Sequence, residues 1–129
     1  MKTLRAVRLV AGVRVAIGFA LTFRTADVLR LTVRDVEPSG PIFVFAQTVG
    51  IRDLIFGLGA LIESFEDPDR VDRWVWLWLA NEVADVIAGA LAAPHIGRRG
   101  AIGAAAAPLP FVAADVWALR ARRISAQQA

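Results

Sequence analysis

The fold is decided by one stretch of the sequence, IFVFAQTVGIRDLIFGLGALI, which covers residues 42–62. Only Gln47, Thr48, Arg52 and Asp53 interrupt this apolar run. A helix of this length extends about 30 Å, which matches the hydrocarbon core of a lipid bilayer. Because no polar stripe follows one helical face, the stretch predicts a transmembrane helix rather than the surface helix of a water-soluble protein.

Three further apolar runs flank this one. We predict transmembrane spans at about residues 6–24, 42–62, 74–94 and 101–119, the fourth kinked at Pro108 and Pro110. A chain of 129 residues has room for one domain. The sequence therefore predicts an all-α fold, a four-helix transmembrane bundle that forms one integral membrane domain. A water-soluble helical bundle is the alternative, and it would need the polar helix faces that the second and fourth spans lack.

The connections between the spans are rich in charges and turn formers. We expect an amphipathic segment within residues 24–40, ending in a turn at 37–41. Asp67 and Pro68 resemble a helix N-cap followed by a first-turn proline. Pro94 and residues 97–100 are expected to end the third span.

The basic N-terminus followed by an apolar run is also typical of a cleaved signal peptide. Arg14 lies in the middle of the run, where such peptides are uninterrupted, so we expect the segment to be retained as a span.

The composition narrows the classes of function. Hydrophobic residues make up 57% of the chain, mean hydropathy is +0.53 and the net charge is +3. The absence of Cys excludes a disulfide framework, a thiol nucleophile and a Cys-ligated metal. The arginines lie singly or in pairs beside apolar runs, which indicates contact with a lipid bilayer and no nucleic-acid partner.

The distribution of basic residues predicts an orientation. Eight Lys and Arg residues lie at the two termini and within residues 63–73, against five in the other two connections. Cytoplasmic segments carry the excess of positive charge, so we predict cytoplasmic N- and C-termini and a multi-pass protein of the cytoplasmic (inner) membrane. Trp74, Trp76 and Trp78 would then be interface anchors at the cytoplasmic headgroup level.

Six ionisable residues interrupt the apolar runs: Arg14, Arg52, Asp53, Glu82, Asp85 and Asp115. A charge at the bilayer centre costs about 2.5–3.5 kcal/mol, so these side chains are expected to turn inward and neutralise one another. Trp78, Glu82, Asp85 and Gly89 share one helical stripe with Asn81 beside it, and Gly50, Asp53 and Gly57 share another. We therefore predict a buried polar or ligand-binding network of these six residues and Asn81.

The charges of this network do not balance, because two arginines meet four carboxylates. Two carboxylates must then hold a proton or lie beside a bound cation. Two interpretations remain open: the network only locks the helices in register, or Glu82 and Asp85 are candidates for acid–base chemistry.

No known metal or cofactor motif appears. The single His95 is far along the chain from Glu82, and Glu82-x-x-Asp85 lacks the histidine of di-iron bundles. His95 is expected in an interfacial loop. The sequence also lacks a phosphate-binding loop and the HExxH and GxSxG motifs, so we predict no metal and no cofactor.

The segment Gly50-Ile51-Arg52-Asp53, followed by Gly57, resembles the Gly-x-Arg-Asp motif of uncharacterised small four-helix bacterial membrane proteins related to the DoxX-like superfamily. Members tend to carry an aspartate in the third helix, which Asp85 matches. The chain departs from the pattern in the position of its histidine and in its Trp cluster. The resemblance implies a four-helix bundle with intramembrane Arg and Asp residues, and it implies no activity.

Three functions remain open. The sequence favours a non-enzymatic protein, either an accessory subunit of a membrane complex or a bundle that binds a lipid or small lipophilic ligand. The first alternative is a membrane enzyme in which Glu82 or Asp85 is the acid or base and Arg14 or Arg52 stabilises negative charge. The second is proton- or cation-coupled transport by an oligomer. The expected partners are other membrane subunits or further copies of the chain.

Overall fold

Six helices make up the part of the chain that the computed structural model describes, residues 2–32 and 40–126, and this part contains no strand. They are α1 (Lys2–Phe23), α2 (Thr25–Thr32), α3 (Gly40–Glu66), α4 (Val71–Leu91), α5 (Ala93–Ala106) and α6 (Leu109–Ala126). Four segments are long and apolar enough to cross a membrane: Leu4–Phe23, Gly40–Glu66, Val71–Leu91 and Gly97–Ile124. The all-α class and the four apolar segments are therefore confirmed.

Small residues bring α1 and α3 together. The buried residues of α3 recur at spacings of four and three, and they are Ala46, Gly50, Asp53, Gly57, Ala60 and Ser64. A Cβ atom at Gly50 would lie 2.6 Å from Cβ of Leu21, and one at Gly57 would lie 2.9 Å from Cγ2 of Val15. The two backbones therefore approach as closely as glycine allows, which is how membrane helices gain packing energy without a hydrophobic driving force.

The remaining contacts close the bundle around a common interior. α4 packs against α5 and α6, α6 packs against α1, and α3 and α4 share the smallest of these interfaces. An apolar core lies between the helices, formed by Val7, Val10, Ala11, Ala60, Val71, Val75, Trp78, Ala118 and Leu119.

An amphipathic segment was predicted within residues 24–40, and the first part of it forms the helix α2 (Thr25–Thr32). α2 buries Leu29 and exposes Arg30, as an amphipathic helix does, although it also buries Thr25 and exposes Leu31. The predicted turn at 37–41 lies mostly outside the described residues. Its last part starts α3: Gly40 has φ +62°, a conformation that glycine adopts most easily, and Pro41 follows in the first turn.

The prediction for Asp67 and Pro68 is wrong, because α3 continues to Glu66 and α4 begins only at Val71. The amide of Arg70 donates to the carbonyl oxygen of Asp67 at 3.0 Å, which closes a tight turn with Pro68 inside it. Asp at the first and Pro at the second position suit such a turn, so these residues connect two helices rather than start one.

The third and fourth spans are joined differently from the prediction. α4 ends at Leu91, Pro94 lies in the first turn of α5, and the expected turn at 97–100 reduces to the non-helical Gly97 (φ 74°, ψ 163°). The fourth apolar segment consequently starts at Gly97 rather than at residue 101. The helix is interrupted at 107–108, beside Pro108, while Pro110 lies in the first turn of α6, and the kink expected at these two prolines stays a prediction.

Candidate functional site

Arg14 lies at the centre of a buried ion cluster to which all four candidate spans contribute. Its side chain is 1% exposed; Nη1 donates to Oε1 of Glu82 at 2.8 Å and Nη2 donates to Oδ2 of Asp115 at 2.8 Å. Oδ1 of Asp53 lies 3.5 Å from Nη1. One guanidinium group of α1 therefore faces a carboxylate from each of α3, α4 and α6.

Two aromatic rings complete the surroundings of this guanidinium group. Its Cζ lies 4.9 Å from the ring centroid of Trp78 and 5.2 Å from that of Phe111. The indole and phenyl groups add cation–π attraction and exclude water from the ion pairs, which strengthens each electrostatic contact.

This arrangement corrects one of the three predicted interface anchors. Trp78 is 0% exposed and lies in the interior, because it shares the buried stripe of α4 with Glu82. Trp74 is partly buried, with its ring centroid 6.3 Å from that of Phe56. Trp76 is 50% exposed, so its anchoring role stays a prediction.

A second ion pair adjoins the first group through Asp53. Arg52 Nη1 lies 2.9 Å from Oδ2 of Asp85, and Arg52 Nη2 lies 3.5 Å from Oδ1 of Asp53. The side chains of Arg52 and Asp85 are 22% and 32% exposed, in contrast to the fully enclosed Arg14. These two residues form the accessible edge of the cluster.

The cluster lies near the middle of three of the spans. Arg14 is ten residues from Leu4 and nine from Phe23, and Asp53 is thirteen residues from either end of Gly40–Glu66. Glu82 lies eleven residues after Val71 and nine before Leu91. At this depth an isolated charge is costly, so the mutual ion pairs are what allow these groups to remain inside a membrane.

Several polar atoms of the cluster have no hydrogen bond within the described part of the chain. They are Arg14 Nε, Arg52 Nε, Asp53 Oδ1 and Asp115 Oδ1, together with Nε1 of the adjacent Trp78. Asn81, whose Nδ2 also has no hydrogen bond there, lies one helical turn before Asp85 on α4, and its place in the network stays a prediction. The network is thus held by ion pairs but is incompletely hydrogen-bonded by the protein.

The acidic groups of the cluster outnumber its basic groups. Two guanidinium groups, Arg14 and Arg52, face four carboxylates, so the cluster carries a formal charge of −2 when every group is ionised. Two unit charges of like sign in a low-dielectric interior are strongly unfavourable. The structure brings these four carboxylates together, and the occupancy of the network by a proton or a cation stays a prediction.

His95 takes no part in the cluster. It is exposed near the start of α5, and its backbone amide donates to the carbonyl oxygen of Ala92 at 2.9 Å. Among residues 2–32 and 40–126 no three His, Cys, Asp or Glu residues are grouped so as to hold a metal ion.

Two features were not predicted from the sequence. Arg8 donates to Oγ and to the carbonyl oxygen of Ser64, at 3.1 and 2.7 Å, and its Cζ lies 3.9 Å from the ring centroid of Phe65. A cavity of about 210 Å³ lies where α1, α2 and α3 meet, lined by Thr22, Phe23, Arg24, Thr25, Ala26, Asp27, Phe43 and Gln47. Ser64 continues the helical spacing of the buried stripe of α3, so the sequence indicates that its side chain is buried. The cavity depends only on how the helices are placed, and no sequence pattern indicates it.

Comparison with known protein families, with characterised proteins and with solved structures gives no match.

Proposed function

We propose that this chain is a small, non-enzymatic integral membrane protein, which binds a small lipophilic ligand or serves as a subunit of a membrane complex. One observation carries the proposal: Arg14 on α1 pairs with carboxylates of α3, α4 and α6. These ion pairs, called the Arg14 clamp below, hold the four helices in one arrangement. Its acidic groups are engaged in ion pairs and are not presented to a substrate.

The burial of the acidic groups favours this function over a membrane enzyme. A general acid or base must reach the proton of a substrate within hydrogen-bonding distance. Glu82 is 3% exposed and accepts from Arg14, so it cannot meet a substrate without breaking the clamp. Asp85 is more accessible but already accepts from Arg52 at 3.2 Å.

The test uses Glu82→Gln and Asp85→Asn in the full chain. We expect both variants to insert, to fold and to keep the assembly size of the wild type in a mild-detergent extract of its own membranes. Arg14→Gln should destabilise the fold and reduce the assembly, because three carboxylates lose their cation. A folded Glu82→Gln variant that loses a turnover of the wild type would overturn the non-enzymatic proposal, and one that loses an ion flux would favour the transport candidate below instead.

A second candidate, proton- or cation-coupled transport by an oligomer, is favoured by the formal charge of −2 in the cluster. Transport requires a carboxylate that gains and loses its cation during the cycle. Proteoliposomes with an enclosed pH dye measure this directly: a proton leak that Asp85→Asn abolishes supports transport, and tight vesicles that match empty ones exclude it for protons. The same preparation loaded with Na⁺ or K⁺ tests metal cations.

We further propose the cytoplasmic membrane as the location, with both termini in the cytoplasm. The excess of Lys and Arg at the termini and in the loop between α3 and α4 supports this orientation. Because the chain contains no Cys, single cysteines at Asp69 and at Arg98 report the two sides without background. An impermeant thiol reagent added to intact cells should label the cysteine at position 98 and leave the one at position 69 unlabelled.

The relationship to small DoxX-like membrane proteins stays a prediction that rests on Gly50, Arg52, Asp53 and Gly57. In support of a role for this motif, Gly50 and Gly57 permit close contact with α1 while Arg52 and Asp53 belong to the ion cluster.

A further inference from the structure

The excess of negative charge in the ion cluster lies around Arg14 and not around Arg52. Arg52 lies 2.9 Å from Asp85, so one cation balances one carboxylate at that edge of the cluster. Arg14 faces one carboxylate from each of three helices, at 2.8, 2.8 and 3.5 Å, and these belong to Glu82, Asp115 and Asp53. The charge that no cation balances therefore belongs to the Arg14 clamp.

Asp115 is the member of the clamp with an oxygen that nothing stabilises. Its side chain is 0% exposed, and its Oδ2 accepts from Arg14 Nη2. Its Oδ1 is buried and has no hydrogen-bond partner within residues 2–32 and 40–126. An ionised carboxylate carries charge on both oxygens, and a buried oxygen without a donor loses its hydration without replacement. Negative charge at Oδ1 of Asp115 is consequently unfavourable.

Asp53 differs from Asp115 in its electrostatic surroundings. Its Oδ1 also lacks a hydrogen bond in the described part of the chain, but it lies 3.5 Å from a nitrogen of Arg14 and 3.5 Å from a nitrogen of Arg52. Two guanidinium groups therefore share this oxygen, whereas Oδ1 of Asp115 has neither a hydrogen bond nor a second cation.

A proton is the cation that fits this place. The guanidinium group of Arg14 already donates to both Glu82 and Asp115, so a metal ion there would lie beside a positive charge. A metal ion also needs several ligands, and the residues that the structure describes contain no group of three His, Cys, Asp or Glu able to hold one. A proton needs only one oxygen, and it lowers the formal charge of the whole cluster from −2 to −1.

We propose that the Arg14 clamp binds one proton, on Oδ1 of Asp115, as part of the folded bundle at neutral pH. Oδ2 of the neutral carboxyl group still accepts from Arg14, so the link between α1 and α6 is kept. The inference rests on the proposed function, in which the clamp holds the four helices together, and it adds the proton as a bound component of that clamp.

Infrared spectroscopy tests the proposal directly, because the C=O stretch of a protonated carboxyl group is separate from the bands of carboxylates and of the backbone. The full chain is measured at pH 7 in dodecyl maltoside, a detergent without a carbonyl group. Exposed Asp and Glu side chains are ionised at this pH, so we expect a band from the clamp alone. Asp115→Asn should remove the band. Asp69→Asn, which neutralises an exposed carboxylate in the loop before α4, should leave it unchanged.

Isotope labelling reads the same band in the unaltered chain, so the test does not depend on the folding of Asp115→Asn. Carbon-13 in the carboxyl groups of aspartate shifts the band if an aspartate holds the proton, and labelled glutamate shifts it if Glu82 does. We expect a shift with labelled aspartate only. Asp53→Asn and Asp85→Asn should each keep the band, which separates these two aspartates from Asp115.

The bound proton should also make the bundle sensitive to alkali. A ligand that only the folded state binds stabilises that state, so release of the proton destabilises it and leaves Asp115 facing Asp53 and Glu82 across Arg14. The sequence contains no Cys, no Tyr and a single Lys, so few other groups titrate between pH 7 and pH 10. The unfolding midpoint of the wild type should fall by several degrees over this range, and that of Asp115→Asn should stay constant.

The inference is overturned if the wild type shows no carboxyl band, if the band survives in folded Asp115→Asn, or if labelled glutamate alone shifts it. A midpoint that falls equally in the wild type and in Asp115→Asn overturns it as well. None of these results bears on the non-enzymatic function, which is tested by turnover and assembly. Conversely, a turnover lost in Glu82→Gln would overturn that function and leave the band in place.

Discussion

Arg14 on α1 donates a hydrogen bond through Nη2 to Oδ2 of Asp115 on α6, at 2.8 Å and across 101 residues of sequence. The same guanidinium group donates through Nη1 to Glu82, so the first and last long helices and α4 are joined by one side chain. Arg14 is 1% exposed and Asp115 is 0% exposed. Because this cation is enclosed, the loss of stability should depend on which residue of the network is replaced.

Replacing the cation should be the most damaging change. Arg14→Gln leaves Asp53, Glu82 and Asp115 facing each other in the interior, and we expect a loss of about 3–5 kcal/mol in the free energy of unfolding. The measurement is reversible unfolding in mixed micelles, followed by circular dichroism.

The matched control is Arg24→Gln. Arg24 pairs with Asp27, but their side chains are 71% and 46% exposed, so its removal should cost about 1 kcal/mol or less. Equal losses for the two variants would show that Arg14 does not hold the bundle together.

Neutralising one carboxylate should cost less than removing the arginine. Asp115→Asn keeps an oxygen that can accept from Arg14 and removes one negative charge from a cluster that has two in excess. We expect a loss of about 1–2 kcal/mol, mainly from the unpartnered amide hydrogens. In the double variant Arg14→Gln, Asp115→Asn the losses should be less than additive, since the two residues interact directly. Additive losses would contradict the ion pair.

Helical periodicity predicted which residues share a buried helix face. The packing of the helices determined which of these residues meet. Gly50, Asp53 and Gly57 share a stripe at spacings of three and four, and the structure packs that stripe against α1. Periodicity does not determine which arginine each carboxylate meets. Glu82 and Asp85 differ by about 60° around α4, and this is enough to direct Glu82 to Arg14 and Asp85 to Arg52.

Trp78 shows how two local rules compete. Its position in a Trp-rich segment at the start of a span predicted an interface anchor, although its spacing of four from Glu82 places it on the same stripe as a carboxylate that was expected to turn inward. The structure follows the second rule, since a 0% exposed indole lies 4.9 Å from the Arg14 guanidinium carbon. The prediction for Asp67 was wrong for a related reason. The same Asp-Pro pair suits both a helix start and a turn, and the residue at which α3 ends decides between them.

The contact between α1 and α3 predicts opposite effects for two glycines. A Cβ at Gly50 would lie 2.7 Å from the backbone nitrogen of Thr22, so Gly50→Ala should force the helices apart and cost about 1–3 kcal/mol. A Cβ at Gly12 would have nothing within 4 Å, so Gly12→Ala should stabilise α1 by about 0.5–1 kcal/mol. Unfolding midpoints of the two variants check the sign, and stabilisation by Gly50→Ala would contradict the close packing.

Lipid contact should distinguish the tryptophans of α4. Brominated acyl chains quench an indole only when the two touch, and Trp76 is 50% exposed while Trp78 is 0% exposed. In variants that keep a single tryptophan, with Phe at the other three positions, we expect brominated phosphatidylcholine to quench Trp76 strongly and Trp78 little. The reason is that Trp78 faces Arg14 and the bundle interior, where acyl chains do not reach.

Equal quenching of both would mean that lipid enters beside Arg14, and the enclosed ion cluster would then be ruled out. If neither indole were quenched in a folded preparation, α4 would not face lipid on its Trp76 side, and a protein subunit would cover that surface instead.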